Sequence, residues 1–123
     1  MSTMSYNNTS CPDISIEKTL RLLGLNNSYK GYNFLIYGIK LVIENPKLLT
    51  YICKGLYAEI AIYNNTTINC VERNIRTVKE VIWSSASQEI LSDIFGDLYH
   101  QGIPSNAVFI DMLAYYIKKL PPD

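Results

Sequence analysis

Apolar positions along this chain recur mostly at intervals of three and four, the period of helices packed on one face. Ile16, Leu20 and Leu23 open the series; Asp13 or Ser15 can cap the helix they define, and Gly24 stops it. Residues 31–44 predict a second helix with Phe34, Leu35, Ile39, Val42 and Ile43 facing inward, ended by Pro46. A third stretch starts near Lys47, and Gly55 is expected to bend or break it, because glycine costs about 1 kcal/mol in a helix interior. The pattern then gives a helix over 56–63, the polar link Asn64–Thr67, a long helix to about Trp83 and a short one over 89–95. A last helix spans 106–119 with Val108, Phe109, Met112, Leu113 and Tyr116 as its expected buried stripe. Lys118 and Lys119 suit its negative end, and Pro121 and Pro122 close it. Residues 84–87 and 96–105 read as loops. Sustained period-two alternation is missing throughout, so the expected fold class is all-α. The polar residues 1–12 read as a frayed lead before a single domain over 13–123.

The stretch 56–83, LYAEIAIYNNTTINCVERNIRTVKEVIW, has the length pattern of a helix-turn-helix, whose second helix enters the major groove. Thr67 can cap that second helix. If the helix begins two residues later, Asn69 and Glu72 form a capping box instead. On a wheel of about 100° per residue, Ile75, Val78 and Ile82 fall within about 40° of Val71, a narrow seam that must be buried. Asn69, Arg73, Arg76 and Glu80 fall within about 40° of the opposite direction, flanked by Thr77. One face therefore packs and the other offers two guanidiniums, an amide and a hydroxyl. Arg can bond O6 and N7 of guanine together, and Asn can pair with adenine in the same way.

Charge sharpens this picture. The formal net charge is zero, which by itself argues against a nucleic-acid partner, but the charges are segregated. Residues 28–80 hold seven basic and four acidic side chains, a net of +3, while residues 81–123 hold two and five, a net of −3. The middle of the chain is the part suited to an anion. The 123 residues are 48% hydrophobic, enough for one core and too few residues for two. Cys11, Cys53 and Cys70 are odd in number and widely spaced, as in reduced thiols of a cytosolic protein. The N-terminus has neither the basic nor the apolar region of a signal peptide, and no apolar run reaches the ~20 residues of a membrane span. The expected location is cytoplasmic.

Several blocks resemble the C-terminal DNA-binding effector domain of stage-zero sporulation protein A, the response regulator that commits endospore-forming bacteria to sporulation. KGYNFL from Lys30 is similar to KGYxxL, and LYAEIA from Leu56 to LYxxIA. TTINCVERNIRTVKEVIW from Thr66 resembles TTxxxVERxIRxxxExxW without a gap, and this is the specific block. IFG at Ile94 and IPSNAVFI at Ile103 resemble an FG and a PTNxxFI element. The likeness covers roughly residues 14–119. It implies a six-helix domain containing the helix-turn-helix, binding of double-stranded DNA at short promoter boxes, two copies on adjacent boxes, and transcriptional control. Glu72, Arg73 and Arg76 match positions that the family uses at or beside DNA. The chain departs from the family's pattern at Ile68, Asn69 and Cys70, where a proline, a small hydroxyl residue and an arginine are usual. It departs again at Thr77, usually histidine, and at Gln101 and Ile103, usually lysines. No segment supplies a receiver domain, so the chain reads as a stand-alone effector or a fragment, with Met1 and the lead-in favouring the former.

The candidate DNA-binding set is Thr67, Asn69, Cys70, Glu72, Arg73, Arg76 and Thr77. Nothing points to catalysis, a cofactor, a small-molecule substrate or a metal. His100 stands alone in a loop without a second imidazole. Cys70, near a helix start where a thiolate is favoured, reads as a small, partly buried group. Trp83 reads as a core anchor, and Asp93 and Asp97 as a solvated acidic face. The competing reading is a degenerate effector that acts as a protein-interaction or dimerisation module on a related regulator; the neutral charge favours it, and Arg73 and Arg76 argue against it.

Overall fold

The structure, a computed structural model, describes residues 14–121. The expected frayed lead, the alternative cap Asp13, Cys11 and Pro122 lie outside the described residues. Six α-helices are present and no strand is seen among the described residues. Helix α1 covers residues 14–22 and buries Ile16, Thr19 and Leu20. Its end is set at Gly24, whose φ of +96° lets the Leu25 N–H reach back to the Leu20 carbonyl at 3.0 Å. That closure returns Leu23 and Leu25 to the core.

Helix α2, Lys30–Glu44, lies at the centre and packs mainly on α4 (Ile68–Ser85) and α6 (Asn106–Lys118). Tyr32, Leu35, Ile39 and Val42 are buried along it, while Ile43, expected inside, is only half-buried. Its two glycines are contact points. A Cβ at Gly31 would fall on the Asn74 carbonyl oxygen and 2.7 Å from a Val78 methyl; a Cβ at Gly38 would stand 2.9 Å from the Ile60 side-chain tip. Small side chains at these positions let α2 approach both helices of the helix-turn-helix closely.

The segment between α2 and the helix-turn-helix departs from expectation. Pro46–Leu49 forms a 3₁₀ turn, and Ile52–Tyr57 forms a π-helical stretch that runs straight into α3, Ala58–Tyr63. Gly55 does not break the path. It sits inside the widened turn, where a Cβ would come 3.2 Å from the Leu48 carbonyl, so the chain is kept helical with one residue accommodated in a wider repeat. Helix α4 runs two residues beyond Trp83, because Ala86 N–H still closes on Ile82 and the hydroxyls of Ser84 and Ser85 bond the Val81 carbonyl. Ser87 caps α5, Gln88–Phe95, through the Ile90 N–H, and the expected loop begins with a 3₁₀ stretch, Gly96–Gln101, which includes an exposed His100.

The buried stripe of α6 is rotated from the expected one. Phe109 and Leu113 are buried as expected, but Val108 is 39% exposed and Met112 and Tyr116 are only half-buried. Ile110, Ala114 and Ile117 are buried in their place. This helix is apolar around most of its circumference, so period alone cannot choose a face; packing on α2, α4 and α5 makes the choice. Trp83, Phe95 and Phe109 form the aromatic centre where α4, α5 and α6 meet, with ring centroids 4.7 to 6.3 Å apart.

Candidate nucleic-acid interface

The turn between α3 and α4 is closed by backbone geometry at both ends. Asn65 adopts φ +54°, a left-handed conformation that asparagine tolerates better than most residues. This brings the Thr66 N–H to the Ala61 carbonyl at 2.9 Å and the Asn65 N–H to the Ile62 carbonyl at 3.3 Å, the paired closure of a Schellman end. The Asn64 side-chain amide adds a bond to the Ile60 carbonyl at 2.8 Å. Thr67 then turns to extended backbone, and its hydroxyl accepts the Cys70 N–H at 3.1 Å. Thr67 is thus the cap, α4 starts at Ile68, and the alternative Asn69–Glu72 box does not form.

Helix α4 has the two faces that the wheel predicts. Val71, Ile75, Val78 and Ile82 are each at most 1% exposed. They face α2 on one side and α3 with the end of the π-helical stretch on the other. Asn69, Arg73, Arg76, Thr77 and Glu80 are exposed on the other side. Arg73's guanidinium has no hydrogen-bond or ion-pair partner among the described residues. Arg76 reaches back one turn to Glu72 at 3.5 Å, with the two side chains 52% and 39% exposed. Such a surface i,i+4 pair contributes only about 0.3–0.5 kcal/mol, so it orients the guanidinium without locking it. The Thr77 hydroxyl donates to the Arg73 carbonyl at 3.0 Å. Cys70 is half-buried on one flank, where its sulfur and carbonyl both accept from the Asn74 amide.

Two polar tethers hold α4 from behind. Lys79 is 6% exposed and its ammonium donates to the Pro104 carbonyl at 2.8 Å. Burial pushes its pKa down, partly offset by the carboxylates of Glu80 and Glu72. Lys79 therefore belongs to the packing of the 102–105 loop and not to the basic surface in which its segment placed it. Asn106, the first residue of α6, donates its amide to the Tyr57 hydroxyl at 2.9 Å and to the Glu72 carbonyl at 3.4 Å. Ser105 caps the same helix through the Val108 N–H. Neither tether was visible in the periodicity: a lysine reads as surface, and an asparagine after Pro-Ser reads as part of a cap. The only signal was the PSN block itself.

A helix closed by a Schellman end, a capped second helix with one buried and one polar face, and a rigid support behind it define a helix-turn-helix domain. The family model described as sporulation initiation factor Spo0A C terminal matches residues 16–117, and the chain belongs to that family. Its domain is the DNA-binding effector of a sporulation transcription regulator, not an enzymatic family. No helix among the described residues is long and apolar enough to cross a membrane, and no group of three or more His, Cys, Asp or Glu side chains gathers there to hold a metal.

Proposed function

We propose that this chain binds double-stranded DNA sequence-specifically and regulates transcription from promoter boxes, with α4 lying in the major groove. The observation that carries the reading is the unpartnered Arg73 guanidinium beside exposed Asn69, on the face opposite the buried seam of a capped helix, in a chain of a DNA-binding family. Arg73 and Asn69 then read base edges. Arg76, steered by Glu72, contacts phosphate, and Glu72 accepts from a base amine or serves only to aim Arg76. Thr67, Cys70 and Thr77 line the approach; the Thr67 hydroxyl accepts the Cys70 N–H and keeps its own proton to donate, while the Thr77 hydroxyl gives its proton to the Arg73 carbonyl. Two copies on adjacent boxes act as a pair, in the cytoplasm where the DNA is.

The test starts from duplexes selected out of a random library. Arg73→Ala is expected to cost about 1–3 kcal/mol on the selected duplex and little on a scrambled one. Arg73→Lys does not restore it, because an ammonium lacks the planar fork. Arg76→Ala weakens both duplexes evenly, and the slope of log K against log salt shrinks by about one. A folded Arg73→Ala that binds the selected duplex like the wild type refutes the assignment.

A second reading, a protein-interaction module on a related regulator, is favoured by one observation. Ile62 is 77% exposed and Tyr63 68%, with Tyr63 stacked on Tyr37 at 4.0 Å, an apolar surface beside the turn. Equal binding of selected and scrambled duplex by the wild type would move the weight to this reading.

A further inference from the structure

The two flanks of α4 differ in charge. One flank, with Glu72 and Lys79, meets the end of the 96–105 segment and the start of α6 through the Lys79–Pro104 and Asn106–Glu72 bonds. That segment, GDLYHQGIPS, contains Asp97 and His100 and neither Lys nor Arg. The other flank, with Cys70 and Asn74, faces the start of α2, where Gly31 lies against Asn74. Between α2, the turn and α4 on this second flank is a depression of about 310 Å³, lined by Lys30, Asn33, Phe34, Asn64–Thr66 and Cys70.

Its lining holds one cation and no carboxylate. The Asn64 amide donates one of its protons to the Ile60 carbonyl. The side chains of Lys30, Asn33 and Asn65 have no hydrogen-bond or ion-pair partner among the described residues. Three unpartnered donors thus come from two separate elements, the first turn of α2 and the αL corner of the turn. The residue before α2, Tyr29, offers no side-chain cap, so the positive end of this 15-residue helix carries no side-chain acceptor there. A helix lying in a major groove has a phosphate strand along each flank. The flank with the depression has a cation and open amides to meet one.

We propose, on the DNA-binding reading above, that this depression seats one phosphate of the DNA backbone, with Lys30 supplying the charge and Asn33 and Asn65 the amide donors. The contact fixes the register of α4 along the groove and carries no sequence information. Its loss therefore shows in affinity and salt dependence, not in preference.

The experiment titrates wild type, Lys30→Gln, Asn33→Ala and Arg73→Ala against the selected and scrambled duplexes over a salt series. Lys30→Gln is expected to bind both duplexes about eightfold more weakly at 0.1 M salt, with a slope smaller by about 0.9 and an unchanged ratio between them. Asn33→Ala weakens both with no change of slope, since no charge is lost. A set of duplexes with single neutral methylphosphonates locates the phosphate: one position weakens wild type and leaves Lys30→Gln unaffected. Thermal unfolding of the variants, all altered at exposed side chains, verifies the fold. Wild-type affinity and slope in Lys30→Gln, with Arg73→Ala still losing its preference, overturns this proposal and leaves the DNA reading intact. A Lys30→Gln loss confined to the selected duplex overturns it too, because that marks a base contact. Wild type that binds no duplex even at low salt removes both.

Discussion

Gly31→Ala is the perturbation on which the arrangement of the helix-turn-helix depends most directly. In an isolated helix it would stabilise by about 1 kcal/mol, because alanine is the better helix former. Here the new methyl would overlap the Asn74 carbonyl oxygen and stand 2.7 and 2.9 Å from the two Val78 methyls, where carbon–carbon contacts are ordinarily about 3.5–4.0 Å. The oxygen belongs to the backbone of α4 and cannot rotate away. Relief requires α2 and α4 to separate by about 1 Å along a seam whose four residues are fully buried. Overpacking of this kind costs about 1–3 kcal/mol or more, and the propensity gain offsets only part of it. A net loss of about 1–2 kcal/mol is expected, read as a fall of roughly 4–8 °C in Tm or a lower urea midpoint at unchanged slope. Gly38→Ala is the internal control. Its closest atom, at 2.9 Å, is the end of the Ile60 side chain and the next lie at 3.8 Å and beyond. A rotamer adjustment of about 0.5–1.5 kcal/mol is then nearly balanced by propensity, and stability should change by less than about 0.5 kcal/mol. Gly31→Ala as stable as wild type, or Gly38→Ala the more damaging of the two, would refute the account of how α2 supports α4.

Two further changes probe the turn and the back of the helix-turn-helix. Thr67→Ala removes the acceptor for the Cys70 N–H and should lower stability by about 1 kcal/mol, with Thr67→Ser close to wild type in a denaturant titration. Tyr57 has its pKa raised, first by burial, so the unfolded chain releases this proton at lower pH than the folded one does. Its contribution is intact below its ordinary value of 10.0 and is lost as pH rises through the folded value. Tyr57→Phe should cost about 1 kcal/mol at pH 7 through the lost Asn106 bond, yet flatten the decline of Tm above pH 10; an unchanged alkaline limb would show that the hydroxyl is not held as described.

What could be read from the sequence and what could not divides along physical lines. The α4 seam was legible because it is narrow: four apolar residues on one side, charges on the other, and one solution for what to bury. Thr67 was legible because a hydroxyl before an apolar-periodic run has a specific job at an orphan N–H. The stripe of α6 was not, since Val108, Ile110, Met112 and Ile117 are equally apolar and only neighbours distinguish them. The 46–57 segment was not, because a π-helical turn leaves no periodic trace over six residues. Gly31 entered only as the start of the second helix and as part of the KGYNFL block, and its close approach to α4 left no mark in the pattern. Lys79 counted toward a basic surface although its ammonium is turned inward, a choice made by the Pro104 carbonyl that needs a donor.

That last correction bears on how this domain can grip DNA. With Lys79 withdrawn and Arg76 shared with Glu72, the cations offered around the reading face reduce to Arg73, Arg76 and, on the flank, Lys30. On the DNA-binding reading, about three neutralised phosphates or base contacts per copy give a salt slope of only about −2 to −3, shallow for a specific binder. A single copy would therefore hold a single box weakly at physiological salt. Two copies on adjacent boxes, as proposed above, would double the slope, and any contact between them would add effective concentration without new DNA contacts. On that reading, a chain with neutral net charge and a small cationic footprint would respond steeply to its own concentration on paired boxes and would coat DNA poorly without specificity.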